Sequence, residues 1–240
     1  MRVVQVGSSQ REAPWVAFDD RAQAFGAACT DWSLGQRESG PYPTLRAACN
    51  VGVHSGAVKV YTRRGDDGTT GLLYGGRVDK DDARTDAYGA TDEAVSALGT
   101  ARAHLADGDP EWAERILAVQ RALFVVGAQL ATRDDHWQKL SDEVSRVTPA
   151  MVAALETDID DLTERYPLPN EFVVPGESVP GACVDLARTI VRRAERAVVS
   201  MDRSGVLPDQ TPLRYLNRLS DYLFVLARAI EGGGYTKTRA

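Results

Sequence analysis

The residues of this sequence best suited to chemistry are arginines repeated at helical spacing. Arg188, Arg192 and Glu195 fall on one side of an amphipathic stretch, with Arg196 next to them. At about 100° per residue, Ile190, Val191, Ala194, Ala197, Val198 and Met201 occupy the opposite arc. A later stretch repeats the design. Leu216, Leu219, Leu223, Leu226 and Ile230 form its apolar arc, while Arg214, Asn217, Asp221 and Arg228 line the other side. Guanidinium groups this close repel one another unless acids or a polyanion neutralise them, and their fork geometry suits phosphate oxygens. Two readings follow from the residues alone. One is a solvated face with i,i+4 ion pairs, each contributing only a few tenths of a kcal/mol; the other is an anion site.

A second feature could complete such a site. From Thr62 to Gly71 the chain is rich in Gly, Asp and Thr. Gly65, Gly68 and Gly71 permit positive φ and close backbone approach. Thr62, Thr69 and Thr70 offer hydroxyls, and Arg63, Arg64 and Lys80 offer positive charge. Successive backbone N–H groups in such a loop can form an anion nest. The loop is neither a GxxxxGK[ST] phosphate loop nor a GxGxxG dinucleotide turn, and by itself it reads equally as a hairpin or a surface loop.

Other chemistries are disfavoured. The 3 cysteines (Cys29, Cys49, Cys183) are scattered without a CxxC, and the 3 histidines (His54, His104, His136) show no HExxH. A disulfide framework or a zinc site is therefore not expected, which suits a reduced, cytoplasmic protein. The formal net charge of −6 lacks the basic excess that nucleic-acid binding needs. No apolar run reaches the ~18–20 residues of a membrane span, and the N-terminal residues lack the order of a secretory signal.

The elements that must position these residues follow from periodicity. Five long helices are expected over 86–106, 110–131, 149–165, 178–203 and 211–231, an all-α helix-bundle pattern. The first carries Ala90, Ala94, Ala97, Leu98, Ala101 and Leu105 on its apolar side, and the second Trp112, Ile116, Val119, Leu123, Val126 and Leu130. The third carries Met151, Leu155, Ile159 and Leu162. Residues 58–61 and 172–176 read as short extended pieces. Residues 1–57 are expected to be a weakly structured extension or the product of an upstream start, 58–232 the bundle with its Gly-rich N-terminal loop, and 233–240 a tail. By type alone, Phe172 reads as a core aromatic near a helix start.

Three blocks in this order, 61–71 (YTRRGDDGTTG), 192–196 (RRAER) and 214–224 (RYLNRLSDYLF), resemble the PduO-type ATP:cob(I)alamin adenosyltransferases, also called corrinoid adenosyltransferases. Residues 80–82 (KDD), 87–93 (AYGATDE) and 172–176 (FVVPG) add to the likeness, which spans about 58–231. The resemblance implies a five-helix bundle assembled as a homotrimer with active sites between subunits. It implies transfer of the 5′-deoxyadenosyl group of ATP to the cobalt of cob(I)alamin, giving adenosylcobalamin and triphosphate. By motif matching, ATP would meet Thr62, Arg63, Arg64, Gly65, Thr70, Gly71, Lys80, Arg192, Arg193, Glu195, Arg196 and Asn217. Mg²⁺ would enter through the ATP phosphates, near Glu195 and Asn217. Asp92 and Arg188 match an acid–arginine pair that joins subunits and shapes the corrin pocket, and Phe172 matches an aromatic beneath the corrin. The implied catalytic set is thus Arg192, Asn217, Glu195, Arg188 and Asp92. A cobalamin reductase and an adenosylcobalamin-dependent enzyme are the implied partners, and a carrier of adenosylcobalamin with little turnover is the alternative function.

Four positions depart from the family pattern. Glu177 replaces a second glycine after Pro175, Asp185 stands where His is common three residues before Arg188, and Leu73-Tyr74 replaces Gly-Asp.

Overall fold

A computed structural model describes residues 61, 63–105 and 108–238. The expected extension over 1–57 and the extended piece over 58–60 lie outside the described residues, as does Thr62. The chain divides into two compact units between Asp67 and Gly68. Of the first, Tyr61 and 63–67 are described. They form a turn in which the Asp66 amide donates to the Arg63 carbonyl at 3.3 Å, with Arg63 in the left-handed region at φ 63°. Its guanidinium lies 5.5 Å from the Tyr61 ring centroid.

The second unit is the helical bundle. Its long helices are α1 (Ala83–Leu105), α2 (Pro110–Leu130), α3 (Pro149–Arg165), α4 (Val179–Arg203) and α5 (Thr211–Ile230). A 3₁₀ turn, Asp134–Lys139, follows α2. Proline in the first turn of α2, α3, α4 and α5 lacks only an N–H that the helix would leave unbonded. Thr148 and Ser178 cap α3 and α4, their hydroxyl oxygens accepting from the Met151 amide at 3.3 Å and the Gly181 amide at 3.1 Å. The helix expected from residue 86 starts at Ala83, because the Asp82 carboxylate accepts from the Arg84 amide at 2.8 Å.

α1 packs against α2 and α4, and α5 packs against α3 and α4, so α1 and α4 form the middle of the bundle. Ala87, Ala90, Ala94 and Ala101 of α1 and Ala187 and Ala194 of α4 are buried in the same core; small side chains let helix axes approach closely. Larger side chains fill the flanks: Ile116, Leu123 and Leu130 from α2, Leu216, Leu223 and Leu226 from α5.

Two short antiparallel ladders sit on this frame. β1 (Thr69–Gly71) pairs with β2 (Arg77–Asp79), so the last residues of the Gly-rich loop enter a hairpin, one of the two conformations its composition allowed. It docks on the end of α2, where the Leu73 amide donates to the Ala131 carbonyl at 3.0 Å and Leu72 is buried. β3 (Val173–Val174) pairs with β4 (Thr236–Lys237), so part of the expected tail is a strand. Arg84 ties the frame together. Its guanidinium donates to the carbonyls of Leu130 (3.2 Å), Thr132 (2.8 Å) and Val206 (2.9 Å) and to the Asp134 carboxylate (2.7 Å). It therefore satisfies carbonyls at the end of α2, which the helix leaves without partners.

Candidate active site

The amphipathic design of α4 is realised. Ile190, Val191, Ala194, Val198 and Met201 are buried, while Arg192, Arg193 and Arg196 are exposed and Arg188 is half-buried. Each arginine is treated differently. Arg193 forms an ion pair with Glu93 of α1. Arg196 donates to the Arg192 carbonyl at 3.1 Å. The guanidinium of Arg192 has no carboxylate partner among the described residues. One turn away, Glu195 accepts from the Asn217 amide nitrogen of α5 at 2.9 Å, joining the two helices across the stripe.

Arg188 and Arg192 line a cavity of about 330 Å³ whose other walls include Leu168, Ser220, Asp221 and Phe224. Cationic groups thus stand over a largely apolar floor, the mixed lining common to small-molecule sites. Asp92 lies on the exposed face of α1 and does not pair with Arg188 within the chain. Arg188 donates instead from Nε to the Asp185 carboxylate at 2.8 Å.

Arg228 corrects the helical-wheel expectation for α5. It does not line the polar side with Arg214, Asn217 and Asp221, because its side chain is only 2% exposed. The end of α5 is enclosed all round, from Val225 to Ala229. Two carboxylates neutralise the buried charge: Asp185 accepts from Nη2 at 2.7 Å, and Glu231 accepts from Nε at 2.9 Å and Nη2 at 2.7 Å. Burial pushes the Glu231 carboxyl above its usual range against the pull of Arg228, and the nearby charges of Asp185 and Glu177 push the same way. Neither this cluster nor Arg84 was signalled by periodicity, which records polarity but not whether a charge has a buried partner.

Phe172 is 86% exposed, so the core-aromatic expectation fails. Its backbone is held from the C-terminal side: the Thr238 amide donates to its carbonyl at 3.2 Å, and Lys237 pairs with Glu171 at 2.8 Å. In the hairpin, Thr70 stands opposite Val78 and Gly71 opposite Arg77. Gly68 has φ 85°, and its carbonyl accepts from the Lys80 amide at 2.9 Å, leaving the Lys80 side chain exposed at the hairpin base. Arg77 donates twice to the Thr69 hydroxyl, at 3.0 and 2.6 Å, a contact the sequence reading passed over. In the first unit Arg63 and Arg64 are exposed and Gly65 is half-buried. Among the described residues no group of His, Cys, Asp and Glu side chains is arranged to hold a metal ion, and no helix is long and apolar enough to cross a membrane.

A family model described as cobalamin adenosyltransferase matches residues 60–230. The chain belongs to the cobalamin adenosyltransferase family. It is 42% identical over 174 residues to a corrinoid adenosyltransferase of Citrobacter freundii, covering 72% of this chain and 95% of that one. A corrinoid adenosyltransferase of Bacillus subtilis is 43% identical over 179 residues, covering 72% and 86%. Among solved structures, a variant PduO-type ATP:corrinoid adenosyltransferase from Lactobacillus reuteri complexed with cobalamin and ATP superposes with a TM-score of 0.69 at 31% identity, covering 75% of this chain and 97% of that chain. The cobalamin adenosyltransferase match spans all five helices and both halves of the hairpin.

Proposed function

We propose that this chain transfers the 5′-deoxyadenosyl group of ATP to cob(I)alamin, forming a cobalt–carbon bond at C5′ and breaking the C5′–oxygen bond to release triphosphate. The observation that carries the reading is the exposed Arg192, whose guanidinium has no carboxylate partner among the described residues, on the wall of a largely apolar cavity and one turn from the Glu195–Asn217 bond. Reduced cobalt is the nucleophile, so the protein needs no activated Ser, Cys or His and acts by placing both substrates and stabilising charge. Charge grows on the leaving triphosphate. Arg192 and Arg196 from α4 and Asn217 from α5 would meet it, joined by Arg193, Thr62, Arg63, Arg64, Gly65, Thr70, Gly71 and Lys80. Fixed donors of this kind stabilise developing charge without reorganising. Mg²⁺ would be held by the triphosphate oxygens, with Glu195 and Asn217 as neighbours. Phe172, projecting into solvent from a clamped backbone, would cover the lower face of the corrin and exclude water and competing ligands. Arg188 would face the corrin and pair with Asp92 between subunits of a homotrimer.

The test is to mix the protein with ATP, Mg²⁺ and chemically reduced cobalamin and follow the corrinoid spectrum. Adenosylcobalamin and triphosphate should appear in equal amounts. Failure to form either overturns the proposal. Light scattering should find three chains of 26.0 kDa per particle.

A further inference from the structure

We propose that Asp185 is a positioning residue that sets the Arg188 guanidinium on the wall of the corrinoid cavity, with the enclosed Arg228–Glu231 pair as its anchor. The inference rests on the reading of Arg188 as a corrin-side residue. Its starting point is the division of labour between the two Asp185 oxygens. Oδ1 accepts from Arg188 Nε at 2.8 Å, and Oδ2 accepts from Arg228 Nη2 at 2.7 Å. The Asp185 side chain is 3% exposed and that of Arg188 25%, so one carboxylate links an enclosed arginine to a cavity arginine. The bond to Arg188 uses Nε alone, which fixes the plane of the guanidinium and leaves both terminal nitrogens for a ligand or a neighbouring chain.

The carboxylate is itself braced. Arg228 is pinned by Glu231 through Nε and Nη2, and the Glu231 side chain is fully enclosed. Gly181 in the first turn of α4 makes the room, since a Cβ there would lie 2.4 Å from Glu231 Oε1. The brace thus runs from the start of α4, through the end of α5, and back to α4 at Arg188. Stability is a poor account of it. Buried ion pairs are often no better than apolar packing of the same volume. Arg228 Nη1 and Glu231 Oε1 also lack partners among the described residues, which a network optimised for stability would avoid. Placement accounts for it better. Arg188 and Arg192 lie one turn apart with like charge, and without Asp185 the longer-lived arrangement would be Arg188 swung away from Arg192. His at this position could not anchor Arg228 as a carboxylate does, so the departure at Asp185 and the burial of Arg228 belong together.

The experiment compares the full-length protein with Asp185→Asn, Arg188→Ala and the double variant, measuring kcat and KM for cob(I)alamin and for ATP. Asp185→Asn is expected to raise the cob(I)alamin KM by about fivefold or more, leave the ATP KM within about twofold, and add nothing in the Arg188→Ala background, since residues acting through one contact are non-additive. Should Asp185→Asn not remain folded by circular dichroism, Arg228→Lys, which keeps the charge but loosens the anchor, is expected to show the same pattern. Unchanged parameters, equal losses for both substrates, or losses that multiply in the double variant overturn the inference. If the unmodified protein makes adenosylcobalamin while Asp185→Asn matches it, this inference alone fails. If the unmodified protein makes none, the parent reading fails and takes this one with it.

Discussion

Among Arg192, Arg193 and Arg196, the exposed arginines of the α4 stripe, Arg192 is distinguished by what it lacks. Arg193 is paired with Glu93, and Arg196 is tied to a backbone carbonyl, but the Arg192 guanidinium meets no carboxylate among the described residues. An exposed, unpaired charge does little for folding, and its removal should shift stability by no more than about 0.5 kcal/mol. Relief of repulsion from Arg188 and Arg196 could even raise it. Its contribution to a triphosphate leaving group would be of another size, because loss of one fixed donor to developing charge costs about 10²-fold or more in rate. Arg192→Ala should therefore keep the helical circular dichroism and melting temperature of the parent while turnover falls by about two orders of magnitude. Turnover within a few-fold of the parent would show that the phosphates are placed elsewhere. Phe172 obeys the same logic, since a side chain 86% exposed packs little and its removal should leave the fold intact.

At the scale of elements, α4 carries most of the proposed site, and its start is fixed by Ser178, whose hydroxyl accepts from the Gly181 amide. Loss of such a cap costs about 1 kcal/mol, which for a chain of this size corresponds to about 2–4 °C in melting temperature. Ser178→Ala should show that drop with kcat at room temperature unchanged, because Asp185 and Arg188 stay tied to Arg228 of α5 when the cap is lost. A loss of kcat without a thermal shift would contradict this division. The helices were legible in the sequence because apolar side chains recur at a single period over many turns; α3 has the expected bounds, and α2, α4 and α5 differ from theirs by a residue. The α1 start was missed because the acids before it offer several caps, and only the Asp82–Arg84 contact decides between them. The hairpin was one of two conformations read for the Gly-rich loop, and strands of 3 residues are too short to show the alternation that would have chosen between them. In the site, the Arg stripe followed from angular position, whereas the Glu195–Asn217 bond did not, because the wheel of one helix does not show which residues of two helices meet. Arg228 did not, since a helical wheel cannot see that Asp185 and Glu231 close over it from other turns and another helix.

The 68–238 unit as a whole is held at a point where three helices bring titratable groups together. Tyr222 of α5 is 1% exposed, near Arg115 of α2 and Asp158 of α3. Burial pushes its hydroxyl up to about 12, the Asp158 charge adds to the rise, and Arg115 opposes it. Tyr215 on the same helix is raised by burial as well. A folded-state value above the unfolded value of about 10 means that the unfolded chain releases its proton first. The stability Tyr222 contributes is therefore fully present below about pH 10 and is lost as pH rises towards 12, by up to about 2–3 kcal/mol over that window. Exposed lysines titrate in the same range, so the informative quantity is the difference from Tyr222→Phe, which retains the ring and removes the proton. Urea unfolding at pH 9, 10 and 11 should show a shallower fall for Tyr222→Phe than for the parent, with equal m-values. Because the three helices must separate for the hydroxyl to reach water, the difference should appear in the global transition and not in a local pre-transition. Parallel curves for the two proteins would mean that Tyr222 is already wet in the folded bundle, and that the α2–α3–α5 junction is looser than its packing indicates.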